Sequence, residues 1–384
     1  MIALDAEKYS SSGFEQVYFE EVYKYLFEKM DYPTQHAYGD GRVIKELVWC
    51  LMEYDLLKSL VLISEETKGK NYIELTDNDV RSIVKALVLA DAETLRRLYE
   101  ILHKPSGKYA GELKRAKATV ALKKKNKEKA EIEEPFRFLE YFGKKAYEGM
   151  RNLDIIVPQV SAVKGKIPIL MTQALDIRTC PYCNRTYIGS SKGKILSVQL
   201  DHFYSKSKYP FFAVSLYNLI PSCPFCNLNK SNHDIVKLMS PFEKAYSFDE
   251  NVKFVFKEVL KENEGEEALK TRELHLEVMT KDSKEQKRHK ADINEFHLET
   301  AYSFHYIEAK QFTDRMRAYP PSLLREVARH MSGANISDTE KMSVLAEALE
   351  MGLFQEYFCE PKDYIKKPLA KFYRDLYFKY RGWD

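Results

Sequence analysis

Two closely spaced cysteine pairs constrain the fold of this 384-residue chain more than any other feature. They lie in Cys180-Pro-Tyr-Cys183 and Cys223-Pro-Phe-Cys226. Thiolates separated by two residues on a tight turn can face one tetrahedral Zn²⁺ at about 2.3 Å each, and two such turns complete a four-sulfur site. A redox dithiol needs only one pair, and disulfides need an oxidising compartment, for which no export signal is recognisable. We therefore predict a structural zinc site formed by Cys180, Cys183, Cys223 and Cys226.

Between and just after the cysteine pairs lie residues that carry chemistry. A strand-like run from Lys194 to Leu200 ends at Asp201-His202, and a second short strand is predicted from Tyr217 to Ile220. A helix can begin at Pro224, because proline is favoured in the first helical turn. This order of strand, strand and helix is expected to bring together four polar side chains, those of Asp201, His202, Asn218 and Asn227.

The types of these residues suit hydrolysis of a phosphodiester. The oxygens of Asp201 and Asn227 are hard ligands, appropriate for Mg²⁺ or Mn²⁺. His202 follows Asp201 in a strand and so points to the opposite side, where its near-neutral pKa would let it take a proton from an attacking water. The amide of Asn218 is better suited to organising the loop that carries His202. Phosphate or nucleic-acid contacts are predicted for Lys230, His233, Lys206 and Lys208.

The segment from Arg178 to Asn232 resembles the HNH endonuclease family, in its zinc-ribbon-stapled ββα-metal form. The resemblance implies that Asp201 is a metal ligand, His202 the general base and Asn218 the middle N of the motif. Asn227 would be a metal ligand at the last H position, where this chain has asparagine. The likeness is greatest to the HNH nuclease of bacterial Septu-type anti-phage defence systems. It implies a role in antiviral defence beside an ATPase partner protein.

Composition and hydrophobic periodicity indicate the class of fold that surrounds this core. Hydrophobic residues make up 45% and charged residues 30%, and no apolar run is long enough to cross a membrane. We predict an α+β protein: mainly helical, with an embedded ββα-metal core stapled by the four cysteines and a β-hairpin formed by 252–256 and 274–278. Helix N-caps are expected at Ser12, Thr76 and Asp91. Cys50 and Cys359 are expected to be small buried hydrophobes.

Three units are predicted along the chain. Residues 1–134 form a helical domain that ends in a basic segment, 135–320 the nuclease domain, and 321–384 a helical segment. The basic segment, from Lys104 to Lys129, suits either a solvated helix or linker, or a phosphate-backbone contact. The flanking helices are expected to bind a partner protein or a second copy of the chain.

The functional expectation is a cytoplasmic, metal-dependent HNH endonuclease that hydrolyses DNA. A net charge of only +3 argues against general wrapping of nucleic acid by the whole chain. RNA cleavage by the same residues stays open, because metal–phosphate chemistry acts on the backbone. A non-catalytic zinc-containing module that binds nucleic acid is the alternative from another class of protein. No membrane partner is expected.

Overall fold

A computed structural model describes most of the chain, namely residues 1–32, 41–60, 75–123, 134–191, 194–195, 197–231, 233, 237–261, 269–332, 339–354 and 360–381. The protein is mainly helical with small antiparallel sheets, which agrees with the predicted α+β class. Cys359 and the end of the predicted basic segment, from Lys124 to Lys129, lie outside the described residues. Within the described ranges, no helix combines the length and the apolar character that crossing a bilayer requires.

The N-terminal part is built of helices that each bury an apolar stripe. Their bounds are α1 (Glu7–Ser11), α2 (Phe14–Glu28), α3 (Arg42–Glu53), α4 (Asp77–Val88), α5 (Ala92–His103), α6 (Lys108–Lys123) and α7 (Glu134–Met150). Thr76 caps α4 and Asp91 caps α5, as predicted, by accepting backbone N–H bonds from Asp79 and Thr94. The predicted cap at Ser12 is wrong. Gly13 precedes α2 in the left-handed region, and the Ser12 hydroxyl bonds back to α1.

The central part carries the short strands and both cysteine pairs. Its elements are β1 (Asp154–Val157), β2 (Ser161–Lys166), α8 (Ile167–Ala174), β3 (Ser190–Ser191), β4 (Lys194–Ile195), β5 (Gln199–His202), β6 (Leu219–Ser222) and α9 (Pro224–Lys230). Each strand pairs with its neighbour in the chain: β1 with β2, β3 with β4, and β5 with β6, all antiparallel. Each pairing is local in sequence, so the sheets stay small.

The C-terminal part begins with a hairpin and ends in helices. Its elements are α10 (Phe248–Asn251), β7 (Val252–Lys261), β8 (Leu269–Val278), α11 (Ser283–Glu295), α12 (Leu298–Ser303), α13 (Tyr306–Ala318), α14 (Pro321–Ser332), α15 (Thr339–Phe354) and α16 (Ala370–Arg381). The predicted hairpin is present, with Val252 opposite Val278 and Phe254 opposite Leu276. It buries Phe254 against Phe372 of α16.

Short 3₁₀ turns connect several of these elements, at Leu57–Ser59, Pro210–Phe212, Leu216–Asn218 and Pro361–Lys366. One cluster of buried apolar residues runs through the described chain from Met1 to Tyr377. The predicted division into 1–134, 135–320 and 321–384 stays a prediction. Hydrogen bonds link the same parts: Tyr18 of α2 donates to the Val214 carbonyl at 2.8 Å, and the Ser215 hydroxyl donates to the Leu87 carbonyl at 2.9 Å.

Candidate functional site

The four predicted zinc ligands lie together. Cys180, Cys183, Cys223 and Cys226 are buried, and their sulfur atoms all lie within 4.8 Å of one another. The sulfurs of Cys183 and Cys223 are 4.0 Å apart, close to the ~3.8 Å edge of a tetrahedron with Zn–S bonds of about 2.3 Å. The cluster can therefore hold a metal ion such as zinc.

The first cysteine turn is closed by Asn184, a residue that the sequence reasoning missed. Asn184 has a φ of 49°, a left-handed conformation that asparagine tolerates better than most residues. Its amide donates to the hydroxyl of Thr179 and to the carbonyl of Tyr364, at 3.1 and 2.7 Å. The backbone N–H of Thr179 donates to the carbonyl of Ile365 at 2.9 Å. The position of Asn184 directly after Cys183 was the available signal. Its distant partners could not be identified from the local sequence.

The second cysteine turn joins β6 to α9 in a strand, strand and helix arrangement. In the β5–β6 pair, Asp201 lies opposite Ile220 and His202 opposite Leu219, and α9 begins directly after Cys223. The predicted order is present, but two bounds differ. Lys194 and Ile195 belong to the separate strand β4, and Leu216–Asn218 forms a 3₁₀ turn instead of the start of the second strand.

His202 is buried and held on two sides. Its Nε2 atom lies 3.0 Å from the carbonyl oxygen of Ala213, and the ring of Tyr147 meets it edge-on with centroids 4.4 Å apart. Because a carbonyl oxygen can only accept, Nε2–H donates and the lone pair stays on Nδ1. Burial, reinforced by the positive charge of Lys206, lowers the pKa of His202 to about 3. The imidazole is therefore neutral near pH 7, but it is a weaker base than the near-neutral pKa expected from the sequence implies.

Asn218 holds the loop that follows His202. Its Oδ1 accepts the backbone N–H of Tyr204 at 2.7 Å, and its Nδ2 donates to the carbonyls of Tyr204 and Phe212 at 3.1 and 2.9 Å. The side chain is fully buried. These bonds span the loop between β5 and β6, which also supplies the Ala213 carbonyl bound to His202. Asn218 thus has the contacts expected of an organising residue.

Asp201 and Lys230 form a buried ion pair. Asp201 is 3% exposed and accepts from the Tyr182 hydroxyl at 2.7 Å and from the Lys230 ammonium at 3.1 Å. The ammonium also donates to the His202 carbonyl at 2.7 Å. Lys230, predicted to reach a phosphate, is only 1% exposed and points into the core instead. It lies one helical turn beyond Cys226 on the buried face of α9, where a carboxylate needs a compensating charge.

Asn227 lies at the edge of a cleft of about 590 Å³ that Asp201 and His202 also line. Its Nδ2 donates to the side chain of Gln199 at 2.7 Å, which leaves Oδ1 as the amide oxygen for another partner. Carboxylate and amide oxygens are the donors that a hard cation such as Mg²⁺ prefers. Both carboxylate oxygens of Asp201 already accept hydrogen bonds, from Tyr182 and Lys230. The structure therefore brings Asp201, His202 and Asn227 to one cleft.

The other predicted nucleic-acid contacts divide between the cleft and the surface. Lys206 lines the cleft, with its ammonium 3.8 Å from the ring centroid of Tyr147. Arg151, which the sequence reasoning missed, also lines it, with its guanidinium 5.9 Å from the same centroid. Lys208 is not among the cleft-lining residues, and its carbonyl accepts from Tyr109. His233 is exposed and pairs with Glu295 at 2.7 Å, outside the cleft.

Comparisons with protein-family models, with curated protein sequences and with solved structures found no match.

Proposed function

We propose that this protein is a metal-dependent endonuclease of the HNH type that hydrolyses DNA phosphodiester bonds. One observation carries the proposal. A neutral imidazole, with its proton fixed on Nε2 by the Ala213 carbonyl, shares a cleft with the oxygens of Asp201 and Asn227. A protein that only binds nucleic acid has no need of a buried histidine with this tautomer beside two oxygen donors.

Each residue of the cleft has a defined task in the proposed reaction. Asp201 and Asn227 would hold Mg²⁺ or Mn²⁺, which when bound stabilises negative charge on the phosphate and on the leaving oxygen. His202 accepts the proton of the attacking water on Nδ1, while the Ala213 carbonyl keeps the Nε2 proton in place. Lys206 attracts the phosphate backbone from the wall of the cleft.

The zinc site and Asn218 support this arrangement from outside the cleft. A structural Zn²⁺ on the four cysteines would join the first cysteine turn to the start of α9, the helix that carries Asn227. The bonds of Asn218 fix the loop whose Ala213 carbonyl orients the imidazole. Neither group needs to touch the substrate.

Cleavage by matched histidine variants tests the proposal. The purified protein is incubated with plasmid DNA, single-stranded DNA and RNA, with Mg²⁺ or Mn²⁺ and with EDTA. General-base catalysis contributes about 10²- to 10⁴-fold, so His202→Ala should lose at least that order of rate. His233→Ala, which alters an exposed histidine outside the cleft, should keep the wild-type rate. Equal cleavage by His202→Ala and wild type would reject the proposal.

A second candidate is a zinc-containing nucleic-acid-binding module without catalysis. The observation that favours it is the Lys230 ammonium, which already compensates the charge of Asp201. In that case the protein would bind nucleic acid without any metal-dependent cleavage. Titration with Mn²⁺, followed by electron paramagnetic resonance, separates the two, because only the nuclease should bind Mn²⁺ in a manner that Asp201→Ala abolishes.

The biological setting is proposed from the family resemblance alone. It comprises a bacterial cytoplasm, defence against foreign DNA and an ATPase partner protein. Copurification with an ATPase from the source cell, and phage protection that His202→Ala abolishes, would support that setting.

A further inference from the structure

Helix α9 exposes two large apolar side chains at the edge of the cleft. Phe225 is 47% exposed and Leu228 is 77% exposed. They are three residues apart, so they are neighbours on the helix surface. Leu228 lines the cleft beside Asn227, and Phe225 lies next to it on the outer side of the same helix. Single exposed apolar residues are common, but these two lie on the same short helix as Asn227, the proposed metal ligand.

Another part of the cleft lining carries positively charged side chains. Lys206 and Arg151 both place their cations around the ring of Tyr147, at 3.8 and 5.9 Å from its centroid. The cleft therefore has a cationic side and an apolar side. Proteins that bind single-stranded nucleic acid place cations along the phosphates and aromatic side chains, as Phe225 would be, against the base faces. Paired bases in an intact duplex bury those faces in the stack.

We propose that Phe225 and Leu228 stack against unpaired bases of a single-stranded nucleic acid whose phosphate backbone follows Lys206 and Arg151. This inference rests on the proposed function, and it assigns the substrate class of the same cleft. A Zn²⁺ ion on the four cysteines would anchor the start of α9, which suits the role because a stacking platform must keep its position relative to the scissile phosphate.

The test measures binding and stacking without cleavage. All proteins carry His202→Ala, and the probes are single-stranded DNA, single-stranded RNA and duplex DNA, each labelled with 2-aminopurine, whose fluorescence falls when it stacks. Phe225→Ala with Leu228→Ala should weaken binding of single strands by about tenfold or more and remove the fluorescence change. Phe225→Tyr keeps the ring and should keep both. Phe304→Ala, which alters a residue 76% exposed and outside the cleft lining, is the matched control.

The outcomes separate the two proposals. Unchanged single-strand binding and stacking in the double alanine variant, or an equal loss on duplex DNA, would overturn this inference. Zinc content and thermal unfolding of each variant show whether it is folded. Absence of His202-dependent cleavage in the wild-type background would instead count against the nuclease, because the fluorescence measurement requires no catalysis. A larger loss on DNA than on RNA would identify DNA as the source of the strand.

Discussion

Replacing Asn218 with alanine should destabilise the protein and slow it, although Asn218 does not line the cleft. The change removes three buried hydrogen bonds and leaves the Tyr204 N–H and the Tyr204 carbonyl without a partner, whereas the Phe212 carbonyl keeps the Ser215 N–H at 3.2 Å. An unsatisfied buried group costs about 1–3 kcal/mol. Taking about 3 kcal/mol for the N–H and about 1 kcal/mol for the Tyr204 carbonyl gives about 4 kcal/mol in the free energy of unfolding.

Urea unfolding followed by circular dichroism measures this loss, with zinc content checked in each sample. Asn152→Ala is the matched control, because its amide makes one bond, at 2.8 Å, on the exposed surface. It should change the free energy of unfolding by less than about 0.5 kcal/mol. Asn218→Asp retains the acceptor but sets a carboxylate against two carbonyls, so it should not rescue stability. A loss for Asn218→Ala no larger than for Asn152→Ala would refute the reasoning.

Further predictions concern the metal sites and pH. Cys223→Ser should yield protein without zinc and with a locally unfolded cleft, since structural zinc contributes on the order of 10 kcal/mol in small domains; elemental analysis checks this, with Cys50→Ala as a control that keeps zinc. Lys230→Met leaves the Asp201 carboxylate buried without its cation, so we expect a loss of about 3–5 kcal/mol, partly restored by Mg²⁺, whereas Lys237→Met at an exposed position should be neutral. Burial lowers the pKa of His289 below its usual 6.5. Its contribution to stability is therefore full above pH 6.5 and is lost as the pH falls and the unfolded chain takes up the proton. Melting temperatures between pH 7.5 and 5.5 should accordingly fall less steeply for His289→Met than for wild type.

Local sequence signals predicted the elements of the fold well where the determining contacts were also local. The caps at Thr76 and Asp91 and the alternating hairpin depend on neighbours within a few residues. Ser12 carried the same capping signal as Thr76. Gly13, with a φ of 69°, turns the chain there, and the Ser12 hydroxyl donates to the Lys8 carbonyl of α1 at 2.6 Å instead of capping α2.

The residues that meet in the cleft could be predicted from their types, but the partners of their side chains could not. Asp201, His202 and Asn227 meet because two short strands and a helix follow one another in the chain. The direction of Lys230 depends on which face of α9 is buried, and that face is set by Cys226 and the core behind it. Arg151 reaches the cleft from the end of α7, so no spacing within the motif could identify it.

The first cysteine turn can be closed only late in synthesis of the chain, because a distant residue supplies one of its contacts. The Asn184 side chain can donate to the carbonyl of Tyr364 only after Tyr364, which lies 180 residues later in the chain, has been synthesised. At about 5–20 residues per second, that interval lasts roughly ten to forty seconds. A growing chain thus carries every residue of the cleft while Thr179 and Asn184 still lack their final partners. A delay therefore separates synthesis of the cleft residues from closure of the first cysteine turn.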